Sequence, residues 1–376
     1  MNTLSVLLIC CSMLFSCSPG TGNEKTYYSD FEVEIDTILV DSEDEILMAG
    51  SDIYTSGVTI DNKKLYSLDQ KNFALEIIDT ENYRLENKVY FKKEGPESLG
   101  TDYFYDLFPL PNERFGFTFY ETYRIHDLKG NLIKEVKLDE NWINGNLEGT
   151  ERIELSSVDV HGNVLAGMHF DFDSFKPIMF LLDSEKEKVE SIELPEFDKI
   201  KRYKITLRRN GGYLTHADPN VFIKFQEDSI LISNSAFNDI YIYKWVTKEL
   251  KHMTYNHQLV PSGKQKTYQN DSESEEEIIQ IIYDISEEVD FTEFFRDELN
   301  DKYYRFAHEA NYLEDKENPT YKVFMMVYDK KLKLIGEKEL MTFESEVTPL
   351  FVKDGKVHFH LNMEDELGFI RIGLKN

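Results

Sequence analysis

The body of this chain lacks cysteine. All three cysteines, Cys10, Cys11 and Cys17, lie near the N-terminus, so the residues after Cys17 can form neither a disulfide nor a thiolate metal site. Basic residues are scarce relative to acidic ones, with 42 Lys and Arg against 70 Asp and Glu, a formal net charge of −28. The resulting field repels phosphate backbones and anionic lipid surfaces, so nucleic acid is not an expected partner.

The sequence also lacks the short motifs of common enzymes. It contains no Gly-x-Ser-x-Gly elbow, no His-Glu-x-x-His pair, no phosphate-binding loop and no dinucleotide-binding glycine pattern. These absences weaken an enzymatic hypothesis without excluding it. We predict no cofactor and assign no residue as catalytic.

Residues 1–16 have the pattern of a signal peptide. Leu4 to Phe15 is an apolar run that is too short to span a membrane but suits the central region of a signal peptide. The following Ser16-Cys17 completes a sequence that resembles a bacterial lipobox, although no basic residue precedes it and Phe15 is bulky for its position. We expect lipidation at Cys17 and a tether over residues 17–30. The alternatives are an ordinary cleaved signal and a short anchor.

Aromatic and apolar residues are abundant and occur in short alternating runs. Hydrophobic residues make up 41% of the 376 positions and aromatic residues 13%, enough for a large β-rich core. At Phe73 to Phe91, a strand that ends at Asp79 is followed by a turn and by a strand that returns from Tyr83. This stretch predicts a strand-turn-strand unit.

Variants of this unit recur down the chain. Their equivalent points, about fifty residues apart except for one longer interval, are Asp79, Asp127, Asp183, Trp245 and Asp329. About four short strands per repeat are typical of a β-propeller, whereas a β-sandwich would not need so many strands. We predict an all-β fold in which residues 31–376 form one six-bladed propeller. A strand at Phe31 to Val40 would complete the last blade and close the ring.

A helical pattern interrupts the repeat at about residues 267–302. An acidic run from Asp271 to Glu277 contains two serines, Ser272 and Ser274, that are suited to cap a helix. The apolar residues that follow at helical spacing are Ile278, Ile281, Ile282, Ile285, Phe291, Phe294, Phe295 and Leu299. We predict a helical insertion packed across one face of the ring; the alternative is a mobile surface loop.

The stretch YYRFAH at residues 303–308 holds the ligand-binding candidates Tyr303, Tyr304, Arg305 and His308. In a strand, Tyr303 and Arg305 share one face, and Tyr304 and His308 share the other. Arg305 could point into a central channel and hold a carboxylate or sulfate with two hydrogen bonds. The alternative is a structural ion pair with a nearby acid.

Two other stretches place polar side chains on one strand face. His358 and His360 have a spacing that can chelate a transition metal, but no third ligand is identifiable, and such a pair more often faces solvent. His169, Asp171 and Asp173 alternate with phenylalanines and have the same two interpretations. We make no confident metal assignment.

These features together resemble a known family. The lipobox, the repeated strand-Asp-turn units, Gly95-Pro96-Glu97 after the first repeat and residues 303–306 after the insertion are similar to the six-bladed propeller lipoproteins of the Bacteroidota, domain-of-unknown-function family 4221. The resemblance covers nearly the whole mature chain and implies a fold and a cell-envelope location. That family has no assigned activity, so the resemblance implies no catalytic residue.

Two functional hypotheses follow. The first is a monomeric, lipid-anchored binding module of the bacterial cell envelope that presents its channel face or helical insertion to a small molecule, a glycan or an envelope protein. The alternative is a propeller-type lyase or hydrolase that acts on polysaccharide or peptide, with Arg305, His308 and His360 in the channel. A purely structural envelope protein is a third possibility.

Overall fold

The computed structural model describes residues 31–47, 55–95, 98–101, 103–147, 152–171, 174–312, 318–344, 348–363 and 366–375. The predicted signal peptide, lipidation site and tether lie outside these residues, as do Asp173 and Pro96-Glu97. Within them nearly all regular structure is β-strand, arranged in seven sheets, which confirms the all-β prediction. No helix in this part of the chain is long and apolar enough to cross a membrane.

The first three sheets each hold four antiparallel strands in chain order. Sheet I contains β2 (Ser56–Val58), β3 (Lys64–Asp69), β4 (Ala74–Asp79) and β5 (Arg84–Tyr90). Sheet II contains β6 (Leu107–Leu110), β7 (Arg114–Phe119), β8 (Thr122–Asp127) and β9 (Leu132–Lys137). Sheet III contains β10 (Arg152–Val158), β11 (Val164–Phe170), β12 (Ile178–Asp183) and β13 (Lys188–Glu193).

Three more sheets have a similar plan: sheet V has a fifth strand, β22, paired beside β23, and sheet VI is completed by the N-terminal strand. Sheet IV contains β16 (Val221–Phe225), β17 (Ile230–Asn234), β18 (Ile240–Lys244) and β19 (Glu249–Met253). Sheet V contains β21 (Asp290–Phe291), β22 (Phe295–Asp297), β23 (Lys302–Asn311), β24 (Thr320–Asp329) and β25 (Leu334–Phe343). Sheet VI contains β26 (Pro349–Lys353), β27 (Lys356–Met363), β28 (Glu366–Leu374) and β1 (Val33–Leu39).

A small seventh sheet, which the sequence did not predict, lies beside a helix. The elements outside the six larger sheets are α1 (Asn141–Asn144), the 3-10 segment Pro195–Tyr203, β14 (Ile205–Arg209), β15 (Gly212–Ala217), β20 (Asp271–Ser272) and α2 (Glu275–Ser286). Strand β14 pairs with both β15 and β20, and the apolar face of α2 packs on it through Ile278 and Ile281 against Ile205 and Leu207. We call β14, β15, β20 and α2 the cap.

The helical prediction is confirmed over α2 and wrong beyond it. Ser274 caps the helix, since its Oγ accepts a hydrogen bond from the backbone N–H of Glu277 at 3.2 Å. Phe291 lies in strand β21 and Phe295 in β22 instead of on a continued helix. The reason is packing: Phe294 enters the core on one side of sheet V and Phe295 the core on the other, and one helical stripe could not serve both.

The predicted repeat points mark equivalent places in sheets I to V. Asp79, Asp127 and Asp183 are the last residues of the third strands of sheets I, II and III. Asp329 ends β24, which is third along the path β21-β23-β24-β25 of sheet V, and Trp245 directly follows β18. Each aspartate accepts the backbone N–H two residues ahead, at 2.8 to 3.2 Å, which fixes the turn into the fourth strand. The unit at residues 73–91 is therefore the outer half of a four-stranded sheet, as predicted.

Apolar cores fill the spaces between sheets that follow one another in the chain, from I and II through V and VI. A sixth core packs sheet VI against sheet I and includes the fully buried Ile78 and Phe369. Each core holds side chains from both neighbours, so burial of apolar surface couples each sheet to the next.

The N-terminal strand joins the end of the chain. Strand β1 pairs antiparallel with β28, from Val33 opposite Leu374 to Leu39 opposite Gly368, which confirms the predicted pairing. The carboxylate of Asp36 accepts hydrogen bonds from Arg371 Nε at 2.5 Å and from Lys356 Nζ at 2.9 Å, which reinforces this edge.

Candidate functional site

Arg305 is fully buried between sheets IV and V. Its guanidinium donates to the carbonyl oxygens of Thr292, Asn238 and Asn234 at 2.8, 2.9 and 2.7 Å. It also lies over the rings of Phe291 and Phe294, and burial lowers its pKa to about 10. The partners of Arg305 are carbonyl oxygens and not the nearby acid of the predicted ion pair. This geometry favours a structural role for Arg305 over the predicted ligand-binding role.

The tyrosines of the same strand are engaged with neighbouring elements. Tyr303 donates to Gln226 Oε1 at 2.8 Å on the side of sheet IV, and Tyr304 donates to Asp297 Oδ2 at 2.9 Å on the side of sheet VI. The predicted alternation of faces is confirmed. Because the faces enter different cores, Arg305 and the two tyrosines do not form one site.

His308, the fourth candidate of that strand, lines a central cavity of about 1220 Å³. The first strands of sheets I to VI all contribute to this cavity, and Ile282 and Ile285 of α2 line it from the cap. The helix thus lies over one part of the cavity. Whether His308 binds a ligand stays a prediction.

The two histidines predicted as a weak metal pair differ in environment. His358 is 1% exposed, with Nε2 2.8 Å from the Tyr83 hydroxyl and Nδ1 3.1 Å from the Lys356 carbonyl oxygen. Burial lowers its pKa to about 3. His360 is half-buried two residues further on. Since both nitrogens of His358 already have partners, the solvent-facing interpretation is wrong for this residue, and chelation would require breaking two buried contacts.

A second cavity, which we call the mouth cavity, adjoins the central one. Its volume is about 950 Å³, and it is lined by residues of sheets II and III, Lys204 and the segment that leads into β16. Asp106, Ser156 and residues 218–221 line both cavities, so the mouth cavity and the central cavity share one wall. A concave site with converging polar groups is the usual form of a small-molecule binding site.

Three exposed tyrosines stand together beside the mouth cavity: Tyr105 and Tyr120 line it, and Tyr103 contacts Tyr120. Tyr103, Tyr105 and Tyr120 are 57%, 53% and 65% exposed, and the ring of Tyr120 lies 5.9 Å from that of Tyr103 and 6.1 Å from that of Tyr105. Tyr120 sits in the β7–β8 turn with φ of 45°, a left-handed conformation that favours Asn or Gly. We call these three residues the tyrosine rim.

Two carboxyl groups lie inside the rim. Burial raises the pKa of Asp106, while a hydrogen bond from Thr118 Oγ1 at 2.8 Å and the charge of Lys224 act in the opposite direction. Glu154 is exposed to solvent in the cavity, but the surrounding protein partly desolvates its carboxyl group. This desolvation is the main cause that raises its pKa, and the charges of Asp106 and Asp218 add to it. Each carboxyl therefore holds a proton more readily than a free one.

Lys204, another charged residue of the mouth cavity, has partners within the protein. Lys204 Nζ, on a buried side chain, lies 2.9 Å from Asp218 Oδ2 and 3.1 Å from the Asp171 carbonyl oxygen. His169 is 5% exposed, so the solvent-facing interpretation is wrong for this residue too. His169 and Asp171 both line this cavity, away from the candidates of strand β23.

Sequence reasoning missed the tyrosine rim and its two carboxyls. A signal was present: Tyr103 and Tyr105 alternate with Phe104, which is 5% exposed, so the strand-like stretch buries one aromatic and exposes two. The contribution of Tyr120 depends on the pairing of residues 105 and 118, which the sequence does not specify.

Comparisons with known proteins agree with this architecture. The model of the family Domain of unknown function (DUF4221) matches residues 29–339. The crystal structure of a DUF4221 family member from Bacteroides vulgatus ATCC 8482 is similar with a TM-score of 0.62 and 15% identity, covering 92% of this chain and 99% of that one. A candidate exported protein from Bacteroides fragilis NCTC 9343 has a TM-score of 0.52 and 10% identity, with coverages of 93% and 98%. No curated protein sequence matches this chain. At these identities the likeness concerns the fold alone.

Proposed function

The chain belongs to the DUF4221 family, and we propose that it is a binding module of the cell envelope whose ligand is a hydroxyl-rich small molecule or glycan held at the mouth cavity. The observation that carries this proposal is the tyrosine rim beside that cavity. A sugar ring has an apolar C–H face that packs on an aromatic ring, and hydroxyls that pair with carboxyl groups. Tyrosine provides such a surface at low conformational cost.

The scaffold we propose is a closed six-bladed propeller. The six inter-sheet cores support it, because the last of them packs sheet VI against sheet I. The pairing of β1 with β28 also supports it, since closure by the N-terminal strand would leave no open edge between the ends of the chain. In such a ring the first strands of the blades surround the channel, in agreement with the lining of the central cavity.

We place the protein outside the cytoplasm, anchored to a membrane through lipid on Cys17. The signal-peptide and lipobox patterns support this location, and one structural relative is named as a candidate exported protein. The Cys17→Ser variant tests it: we expect loss of the lipid mass increment and release from the membrane fraction. Unchanged membrane retention with no lipid on the wild-type protein would contradict the anchor.

The binding proposal is tested by titrating the purified protein with neutral gluco-, manno-, xylo- and chito-oligosaccharides in a calorimeter. The Tyr120→Asn variant removes the ring while placing a residue that tolerates φ of 45°. We expect this variant to fold with equal or higher stability and to lose about tenfold in affinity for the best oligosaccharide.

The matched control is Tyr90→Asn. Tyr90 is 62% exposed, close to the 65% of Tyr120, but lies at the end of the outer strand β5 and does not line the mouth cavity. Its replacement should leave the affinity unchanged. Equal losses in both variants, or no binding of any oligosaccharide at millimolar concentration, would contradict the proposal.

A second candidate function is cleavage of a bound polysaccharide by hydrolysis or elimination. The observation that favours it is the raised pKa of both Asp106 and Glu154 in one cavity, since a carboxylic acid that keeps its proton can act as a general acid. New reducing ends or unsaturated ends after incubation with the bound oligosaccharide, lost in Glu154→Gln, would support an enzyme. Intact oligosaccharide after prolonged incubation would contradict cleavage and leave the binding module as the proposed function.

A further inference from the structure

The walls of the mouth cavity combine aromatic faces with a local excess of carboxyl groups. Within the described residues neither Asp106 nor Glu154 forms an ion pair, and Lys224 and Lys204 act on them only at longer range. The side chain of Asp106 accepts one hydrogen bond, from the neutral Thr118. When these carboxyls are ionised, a bound cation would find negative charge here that no ion pair within the described residues neutralises.

The cations that line the same cavity have carboxylate partners. Lys204 Nζ lies 2.9 Å from Asp218 Oδ2, and Arg152 Nε lies 3.6 Å from Glu121 Oε1. Lys137 Nζ, the third, lies 3.6 Å from Glu135 Oε1. An anionic ligand would have to compete with these contacts, which disfavours uronic acids, phosphates and sulfates.

The tyrosine rim points to the same class of ligand independently. The exposed rings of Tyr105 and Tyr120 offer faces that attract a positive charge through their quadrupoles, and ammonium groups are commonly recognised by such rings. The same faces pack on the C–H surface of a sugar. A ligand with an ammonium group and a sugar ring can therefore make both kinds of contact with the tyrosine rim.

Resting on the function proposed above, we propose that the mouth cavity selects hydroxyl-rich ligands that carry a protonated amine, such as amino-sugar oligomers, with the ammonium held between the tyrosine rim and the carboxyls of Asp106 and Glu154. The sugar ring packs on the tyrosines, and the ammonium supplies the positive charge that the two carboxyls lack. The ligand class is thereby narrowed from glycans in general to cationic ones.

The test compares two tetramers with one backbone: β-1,4-linked N-acetylglucosamine and its fully deacetylated form. Calorimetric titration is carried out in a near-neutral buffer, which favours ionised carboxyl groups despite their raised pKa and keeps a fraction of the amines protonated. We expect the deacetylated tetramer to bind the wild-type protein about tenfold more tightly. In Glu154→Gln, which keeps the shape and removes the charge, this preference should fall to about twofold or less.

The control variant is Glu249→Gln, which makes the same change in net charge at an exposed position of β19 outside the mouth cavity. It should keep the tenfold preference. Equal loss in both variants would assign the preference to the overall negative charge of the protein and overturn the inference. Equal binding of the two tetramers would also overturn the inference while leaving the proposed function intact. Absence of binding by any oligosaccharide would contradict both the inference and the proposed function.

Discussion

The hydroxyl of Tyr83 lies 2.8 Å from Nε2 of His358, although the two residues are 275 positions apart in the chain. Tyr83 lies in the turn between β4 and β5 of sheet I, and His358 lies in sheet VI, so this hydrogen bond links the first and last of the six larger sheets. The Lys356 carbonyl oxygen lies 3.1 Å from the other ring nitrogen, which assigns the proton to Nδ1 and makes Nε2 the acceptor. A neutral imidazole, stacked on Phe351 with ring centroids 4.4 Å apart, satisfies both contacts.

The stability of the protein should fall with pH in part through His358. Burial lowers its pKa in the folded protein from an ordinary 6.5 to about 3. Between these values the unfolded chain binds a proton that the folded protein does not, so stability decreases as pH falls below 6.5, by up to about 1.4 kcal/mol per pH unit. Urea unfolding at several pH values should show a shallower decline for His358→Phe than for the wild-type protein.

The exposed His161 provides the control for this titration. Replacement by Gln should leave the wild-type pH dependence unchanged, because the variant alters no buried contact. If His358→Phe and the wild-type protein lost stability in parallel, His358 would not be held neutral by the fold.

We expect Arg305 to contribute to the stability of the folded protein and not to ligand binding. Arg305→Lys keeps the charge but loses the planar fork, so at least one of the carbonyl oxygens of Thr292, Asn234 and Asn238 loses its donor. Each buried carbonyl without a partner costs about 1–3 kcal/mol. We expect a loss of about 3 kcal/mol in the free energy of unfolding by urea, against less than about 0.5 kcal/mol for Arg209→Lys at an exposed ion pair. Normal stability with lost oligosaccharide binding would instead support Arg305 as a ligand-binding residue.

Removal of the Tyr123 hydroxyl should not lower the stability of the protein. Its side chain is fully buried, and among the described residues Oη has no hydrogen-bond partner. Tyr123→Phe is therefore expected to leave stability unchanged or to raise it by about 1 kcal/mol. A Cβ on Gly116 would lie 2.5 Å from Oη, so Gly116→Ala should cost about 1–3 kcal/mol.

The double variant of Tyr123 and Gly116 checks the contact itself. Removing Oη should recover part of the cost of Gly116→Ala, giving a favourable coupling in a double-mutant cycle measured by thermal unfolding. Strict additivity would mean that the hydroxyl and the glycine do not limit each other.

Closure of the ring can be tested with a disulfide, because the described part of the chain has no cysteine. Thr37 of β1 and Ile370 of β28 are directly opposite in the ladder. The double variant Thr37→Cys, Ile370→Cys should oxidise fully, change mobility on a non-reducing gel and gain about 2–4 kcal/mol, since the bridge would close a very long loop. Failure to oxidise under mild oxidant would contradict this register.

The fold was largely predictable, because its signals are local. The turn at Asp79 repeats with the period of the sheets, and alternation correctly divided the faces of residues 303–308. The predicted helix extended too far because Phe291 fits the spacing of a helical stripe as well as it fits a core between two sheets. The cap sheet was missed because its strand pairs are short and join distant segments, as in the pairing of Thr206 with Asp271.

The site was less predictable, because its chemistry depends on contacts between distant residues. Alternation gives the face of Arg305 but not the carbonyl oxygen of Asn234, 71 positions away, that it meets there. Likewise Asp106 and Glu154 become a pair only because sheets II and III share one cavity. A sequence does not state which of its many carboxylates end up beside one another.

The binding-site proposal is tested most directly by hydrogen–deuterium exchange with and without the oligosaccharide that binds most tightly. We predict slower exchange on binding in segments 103–107, 118–122 and 152–156, which contain the tyrosine rim and the carboxyl groups of Asp106 and Glu154. Exchange in the outer strands β5 and β19 should not change. Protection confined to α2 or to strand β23, with none in these three segments, would contradict the account.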